Sequence, residues 1–125
     1  MERQTISIDM TPGSGQIKRL NLTKNDTNRP LGVYITESGT PFDCSNLSPS
    51  LHIRTPSGDH KTSTVAVDAT ESNLIIWETS LIETEESGRN MAQIRFSSGS
   101  DDIGSSSFVE FVQDVNEQAN EPTTP

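Results

Sequence analysis

The sequence of 125 residues is poor in the residues that build large cores and covalent cross-links. Only 30% of the residues are hydrophobic and 5% are aromatic, with one tryptophan and one tyrosine. The single cysteine, Cys44, excludes an intramolecular disulfide. Because two cores would each be too small at this length, we expect one domain. So low an apolar share favours a thin core between two layers over a helical bundle.

Long apolar runs and an excess of cations are also missing. The start, "MERQTISIDM", has no signal-peptide core, and no run of about 18 apolar residues follows. The net charge is −9, which would repel phosphate backbones and anionic lipid headgroups. We therefore expect neither nucleic acid nor membrane as a partner. The few cations fall mostly in the first third, a distribution more typical of a solvated face than of a binding site.

Turn-forming residues divide the chain into short segments of alternating polarity. "TPGSG", "KNDTNRP", "ESGTP", "TPSGDH" and "EESGRN" leave room for strands but not for long helices. Between them, apolar side chains recur every second residue, as on one face of a strand. The pattern predicts an all-β, antiparallel β-sandwich of about seven to eight strands. The alternating residues are Ile6, Ile8, Met10, Leu31, Val33, Ile35, Leu51, Ile53, Val65, Val67, Ala92, Ile94 and Phe96.

Two segments are apolar on both sides of the predicted strand. In "NLIIWE", Ile75 and Trp77 share one face, and in "SFVEFVQDV" the apolar positions alternate sides. Strands of this kind are central in a sheet or lie at an interface. The candidate core or interface residues are Trp77, Ile75, Phe108, Val109, Phe111 and Val112. For Trp77 we favour packing between layers over stacking on a ligand.

The segment "WETSLIETEESG" breaks the alternation. It predicts one short helical crossover with Thr79 or Ser80 as the N-cap and Leu81 or Ile82 as the buried anchor. The acidic run Glu83, Glu85 and Glu86 is typical of a solvated surface.

The same patterns suggest three regions. Residues 1–30 would form an N-terminal arm with one or two strands that a partner could hold, and residues 31–115 the sandwich. Residues 116–125 would form a flexible polar tail.

The sequence offers no catalytic, cofactor-binding or metal-binding constellation. The two histidines, His52 and His60, have no carboxylate or thiol at a metal-ligand spacing, and Cys44 has no neighbouring base. Asp101 and Asp102 lack the ligand spacing of a calcium loop, so a solvated turn is favoured over calcium binding. We expect no cofactor and no enzymatic activity.

Three stretches together resemble the amino-terminal domain of phage baseplate upper proteins: "GVYITESGTPFDCSNLSPSLHIRTPSGDHK", "ATESNLIIWETS" and "ESGRNMAQIRF". The resemblance covers roughly residues 31–115 and follows the family's order of strand, tight turn, hairpin and crossover. It implies an Ig-like sandwich of tailed-phage virions, also met in head-fibre-type proteins, with no catalytic or metal positions. Such a protein would be made in the bacterial host cytoplasm and end in the virion.

Two functions follow as hypotheses. The first is a non-enzymatic structural protein of a tailed-phage virion. It would oligomerise, with a trimer favoured, and attach to capsid, neck, tail, baseplate or fibre proteins. Because the sequence lacks the long stalk of many family members, a small docking or capsid-decoration module fits this hypothesis. The alternative is a carbohydrate- or receptor-binding adhesion module that presents Trp77, Tyr34 and the loop at 97–107. The exposure of Trp77 separates the two.

Overall fold

The computed structural model describes residues 2–11 and 17–114, which form two β-sheets packed face to face. The eleven strands of the described residues are β1 (Gln4–Asp9), β2 (Arg19–Thr23), β3 (Pro30–Glu37), β4 (Thr40–Pro41), β5 (Ser48–Arg54), β6 (His60–Thr64), β7 (Ala66–Val67), β8 (Leu74–Glu78), β9 (Gly88–Ser98), β10 (Asp101–Gly104) and β11 (Phe108–Gln113). One short helix, α1 (Leu81–Thr84), connects β8 to β9. None of the helical segments in the described ranges has the length and apolarity to cross a membrane.

The strands divide into a small and a large sheet. The small sheet has the order β1-β3-β8-β7, with β4 paired to β3, and the large sheet has the order β2-β11-β9-β5-β6, with β10 paired to β9. The predicted all-β sandwich with a short helical crossover is confirmed. The expectation of a wholly antiparallel sandwich of seven to eight strands is wrong in two respects. The β1–β3 and β2–β11 pairs are parallel, and the short strands β4, β7 and β10 raise the count.

The two strands within the described part of the first 30 residues pair with strands of the sandwich and do not form a separate arm. β1 pairs with β3 and β2 pairs with β11, so this segment contributes to both sheets. The Gln4 side chain joins the two edges, since its Oε1 accepts from Asn21 N at 2.7 Å and its Nε2 donates to Asn21 O at 2.9 Å. The segment adds four buried side chains to the core: Ile8, Met10, Leu20 and Leu22. The predicted tail at 116–125 lies outside the described residues.

The core lies between the sheets and is built from alternate residues of the strands. These residues point inward because successive side chains of a strand face opposite sides. Cys44 is fully buried at its edge, and burial, followed by the charge of Asp43, raises the pKa of its thiol to about 11. The main inward side chains are Leu31, Val33, Ile35, Leu51, Ile53, Ile75, Trp77, Ala92, Ile94, Phe96, Phe108 and Val112.

The helical crossover buries different residues from those predicted. Ser80 is the N-cap, but Leu81 is 50% exposed and Ile82 is 37% exposed. The buried residues are Glu83 and Thr84. The predicted apolar anchor is therefore wrong, and so is the assignment of Glu83 to a solvated surface.

Hydrogen bonds explain why these polar side chains are inside. Glu83 Oε1 accepts from Trp77 Nε1 at 2.9 Å, and Glu83 Oε2 accepts from Ser80 N at 3.2 Å. Thr84 Oγ1 donates to Asp26 O at 2.8 Å. A buried polar group is tolerated when it is paired in this way, and the pairing sets which side of the short helix faces the core.

Candidate protein-interaction surface

The outward-pointing residues of β2, β11, β9, β5 and β6 form a surface that we call the basic face. It gathers four of the nine cationic side chains of the chain: Arg19 on β2, Arg54 on β5, and Arg89 and Arg95 on β9. In the described parts of these five strands no carboxylate points outward. Asp102 of β10 lies at the border of this face, and its Oδ1 accepts from Arg95 Nε at 3.2 Å. A chain of net charge −9 therefore presents one locally cationic surface.

The strand register places one outward residue from each of the five strands in a continuous row across this face. Arg54 lies opposite both His60 and Met91, Met91 lies opposite Val109, and Val109 lies opposite Arg19. Because neighbouring strands are about 4.8 Å apart, the row spans roughly 19 Å. Two arginines thus flank an apolar centre.

The apolar centre of the basic face is partly open to solvent. Met91 is 42% exposed and borders two shallow depressions, one toward His52 and the other toward Ile17. Phe111 is half-buried, and the Arg19 guanidinium lies 5.3 Å from the centre of its ring. Methionine, aromatic residues and arginine are enriched at protein interfaces, where an apolar centre is surrounded by a polar rim.

Three of the four arginines of the basic face form no ion pair with the residues that the structure describes. The salt bridges of the described residues join Arg29 to Asp26, Lys61 to Glu85, and Arg95 to Asp102. Arg19, Arg54 and Arg89 thus lack a carboxylate partner within 4 Å in the described ranges. Arg54 donates only to Gly58 O, at 2.9 Å. Because the chain has twice as many acidic as basic residues, these unpaired guanidinium groups are an unusual feature.

Two histidines extend the basic face without adding a metal site. His52 Nδ1 and His60 Nε2 are 3.2 Å apart, and the rings stack with centroids 5.3 Å apart. Partial burial, followed by the positive charges of His60 and Arg95, lowers the pKa of His52 below its ordinary value. Within the described ranges, no group of three histidine, cysteine or carboxylate side chains could hold a metal ion.

Directly behind the basic face, the inner side of the large sheet buries a second carboxylate. Asn90 Nδ2 donates to Glu110 Oε1 at 3.3 Å and to Glu83 O at 2.7 Å. The pKa of Glu110 is well above its ordinary value, first because of burial and then because of a hydrogen bond with, and the negative charge of, Glu83. Burial and the neighbouring Glu83 carboxylate thus favour the protonated form of Glu110. Both carboxyl groups are closed off from solvent, so the pair fixes the crossover to the large sheet and is inaccessible to a substrate.

The candidate core or interface residues divide between the two faces. Ile75, Phe108 and Val112 point into the core, while Val109 and Phe111 point outward on the basic face.

Trp77 lies inside, 7% exposed, with its N–H bonded to Glu83. Tyr34 lies on the neighbouring strand β3 of the same small sheet but points away from the core, and its hydroxyl donates to Glu71 at 3.1 Å. The two side chains form no exposed aromatic platform for a sugar. Asp101 and Asp102 lie on β10, and Asp102 pairs with Arg95.

Sequence reasoning missed the four arginines and Met91. A signal was present, since Arg19, Arg54 and Arg95 each stand next to a core residue in an alternating strand. Their common surface becomes visible only once the order of the strands is known, because they come from three strands far apart in the sequence.

Comparison with known proteins identifies the fold. The chain is similar to the N-terminal domain of phage TP901-1 ORF48, with a TM-score of 0.67 and 18% sequence identity, over 90% of this chain and 99% of that chain. No family model and no curated protein sequence matches the chain. This sandwich is therefore a fold that also occurs in a phage protein.

Proposed function

We propose that this chain is a non-enzymatic structural protein of a tailed-phage virion. In this role it is a small β-sandwich module that oligomerises and attaches to, or anchors, other capsid, neck, tail, baseplate or fibre proteins. The observation that carries the proposal is the shared fold with a phage protein domain across nearly the whole of that domain. The resemblance of residues 31–115 to baseplate upper proteins points in the same direction.

The basic face supports an attachment role. It combines a partly exposed methionine with three arginines that lack a carboxylate partner in the described residues. Unpaired guanidinium groups around an apolar centre offer both hydrogen-bond donors and packing surface to another protein. A binding module needs such a surface, whereas a catalyst needs accessible reactive groups.

The reactive side chains of the described residues are engaged in structural contacts. Cys44 is buried and its thiol pKa is raised, which disfavours the nucleophilic thiolate. His52 and His60 contact each other, and the carboxyl groups of Glu83 and Glu110 are buried. These contacts favour a non-enzymatic role.

Two measurements test this function. Quantitative mass spectrometry of purified particles should detect the chain at a fixed copy number, and deleting its gene should reduce the yield of complete particles. Size-exclusion chromatography with light scattering should give an oligomer, with a trimer favoured. A strictly monomeric protein that is absent from purified particles would contradict the proposal.

A further inference from the structure

We propose that the basic face is the docking site for an acidic surface of another protein, one in which carboxylates flank an apolar side chain. This inference rests on the proposed function, because it names the partner chemistry of an attachment module. Its basis is charge complementarity. Four arginines share this face with one carboxylate, Asp102, at its border, while the chain as a whole carries −9.

The arginines define what the partner must offer. A guanidinium group presents a planar set of N–H donors that matches the two oxygens of a carboxylate. Arg19, Arg54 and Arg89 have no such acceptor in the described part of the chain. A partner carboxylate would supply it, and the hydrogen bonds would strengthen as the interface excludes water.

The distance between the arginines of the basic face determines the spacing of acidic residues that a partner needs. Arg54 and Arg19 lie three strand steps apart in one row, with Met91 and Val109 between them. Three steps correspond to roughly 14 Å. In an extended segment, residues four apart are also separated by about 14 Å, and the residue midway points to the same side. A strand with acidic residues at i and i+4 and an apolar residue at i+2 therefore matches the row.

Nucleic acid fits this surface less well. A duplex is a long polyanion that would extend past a face about 20 Å wide and meet the acidic remainder of the chain, which repels phosphates. A local acidic patch on a protein senses mainly the nearby arginines, since charges more than about 8 Å away are screened at physiological salt. The apolar centre at Met91 also offers packing that a phosphate backbone does not use.

The first test uses a peptide probe and the intact chain. We would titrate a peptide with the core Glu-Ser-Leu-Ser-Glu and follow the Met91 methyl group by NMR. The expected result is a saturable shift that disappears when the peptide's glutamates are replaced by glutamine. Equal binding of the glutamine peptide would overturn the proposal. A 12-base-pair DNA duplex that binds more tightly than the peptide would overturn it as well.

Matched charge variants assign the binding to the face. Arg54→Glu combined with Arg89→Glu should weaken peptide binding at least tenfold. Arg3→Glu combined with Lys24→Glu makes the same change in net charge away from the basic face and should leave binding nearly unchanged. Equal losses in both double variants would overturn the assignment. Thermal melts confirm that each variant is folded.

A particle experiment separates this inference from the proposed function. Phage lacking the gene would be complemented with each variant, and the copies of the chain in each purified particle counted. If wild type is incorporated and the Arg54→Glu, Arg89→Glu variant is reduced at least tenfold, both ideas are supported. If both are incorporated equally, the docking site is wrong while the virion role stands. If wild type is absent from the particles, the proposed function fails, and the peptide result still decides the chemistry of the face.

One further outcome would show that a second copy of this chain, and not another protein, occupies the basic face. If the isolated chain self-associates and the Arg54→Glu, Arg89→Glu variant becomes monomeric, the occupant is a second copy and not another protein. Under our proposal, these two substitutions leave the oligomeric state of the isolated chain unchanged.

Discussion

The two faces of the large sheet are made by the same strands but differ in the charged groups that they carry. The inner face buries a carboxyl group, and the outer face presents arginines. On β11, Phe108 and Glu110 point inward and Val109 and Phe111 point outward. Inside, burial and the nearby Glu83 raise the pKa of Glu110, and its Oε1 accepts from Asn90 Nδ2. Outside, Arg95 pairs with Asp102, and the other three arginines have no acidic partner among the described residues. One alternating strand thus supplies stability on its inner side and, under our proposal, binding on its outer side.

The physical reason is the difference in solvent. Ionising a group in the core costs several kcal/mol, so a buried carboxyl group favours its protonated form unless a cation or hydrogen-bond donors stabilise its charge. A guanidinium group in water remains solvated, so it can stay charged without an acidic partner. If this separation holds, inward substitutions should change the free energy of unfolding, and outward substitutions should change binding.

The largest expected difference comes from two phenylalanines on β11. Phe108→Ala should lower the free energy of unfolding by about 3–5 kcal/mol, because it leaves a cavity in the core. Phe111→Ala should cost only about 1 kcal/mol, since the ring is partly exposed and loses mainly its contact with Arg19. Urea denaturation of both variants measures the comparison. Equal losses would show that the two faces do not differ as described.

The second prediction concerns pH. The pKa of Glu110 is raised in the folded chain, while the unfolded value is near 4.3. Between these two values the unfolded chain releases a proton that the folded chain keeps, so stability falls as pH rises, by about 1 to 2 kcal/mol per pH unit. Glu110→Gln keeps an amide oxygen as the acceptor for Asn90 and removes the ionisable proton. The variant should therefore be more stable than wild type at pH 7.

The difference in unfolding free energy between wild type and Glu110→Gln reports on Glu110 alone. Hydrogen bonds lower the pKa values of Asp9, Asp43, Asp68 and Glu86. These four groups therefore favour stability at pH above their unfolded values, and that contribution is lost in acid. Wild type and Glu110→Gln share this contribution, so it cancels in the difference between their unfolding free energies. Unfolding curves from pH 3 to 8 should converge below about pH 4, where Glu110 is protonated in both states. Parallel curves at all pH values would contradict the assignment.

The third prediction addresses the outer face directly. Arg54→Glu and Arg89→Glu should each change the free energy of unfolding by less than about 0.5 kcal/mol, because both side chains are exposed and lack ion pairs in the described residues. In combination, the same two substitutions should weaken acidic-peptide binding at least tenfold. A large loss of stability would mean that the arginines serve the fold, and the two faces would no longer be distinct.

The smallest effect is expected at the border of the basic face. Asp102→Asn removes the exposed ion pair with Arg95, which should change stability by about 0.5 kcal/mol or less. It also frees the Arg95 guanidinium, so acidic-peptide affinity should rise by roughly twofold. NMR titration of this variant beside wild type measures the gain. A loss of affinity would show that Asp102 positions Arg95 for binding.

Local patterns in the sequence were sufficient to predict the sandwich and most of its core. Alternation along β3, β5 and β9 placed Val33, Ile53 and Ile94 on the inside, and the break after Trp77 located the crossover. Local patterns could not predict which strands pair. The parallel pairs β1–β3 and β2–β11 join distant segments, which is why the first 30 residues looked like an arm.

Tertiary structure also determines which side chains the crossover buries and which ones meet on the basic face. Glu83 is buried because the Trp77 N–H needs an acceptor at that point, and hydrophobicity alone favoured Leu81 or Ile82. The arginines come together only after β2, β9 and β5 are assembled in one sheet.

Hydroxyl-radical footprinting of Met91 tests the central claim most directly. Met91 is 42% exposed at the middle of the basic face, whereas Leu81 is 50% exposed on the crossover and serves as an internal control. The rate of Met91 oxidation would be measured by mass spectrometry in the isolated chain and in purified particles. We predict strong protection of Met91 in the particles with little change at Leu81. Equal oxidation of Met91 in both samples would contradict a docking role for the basic face.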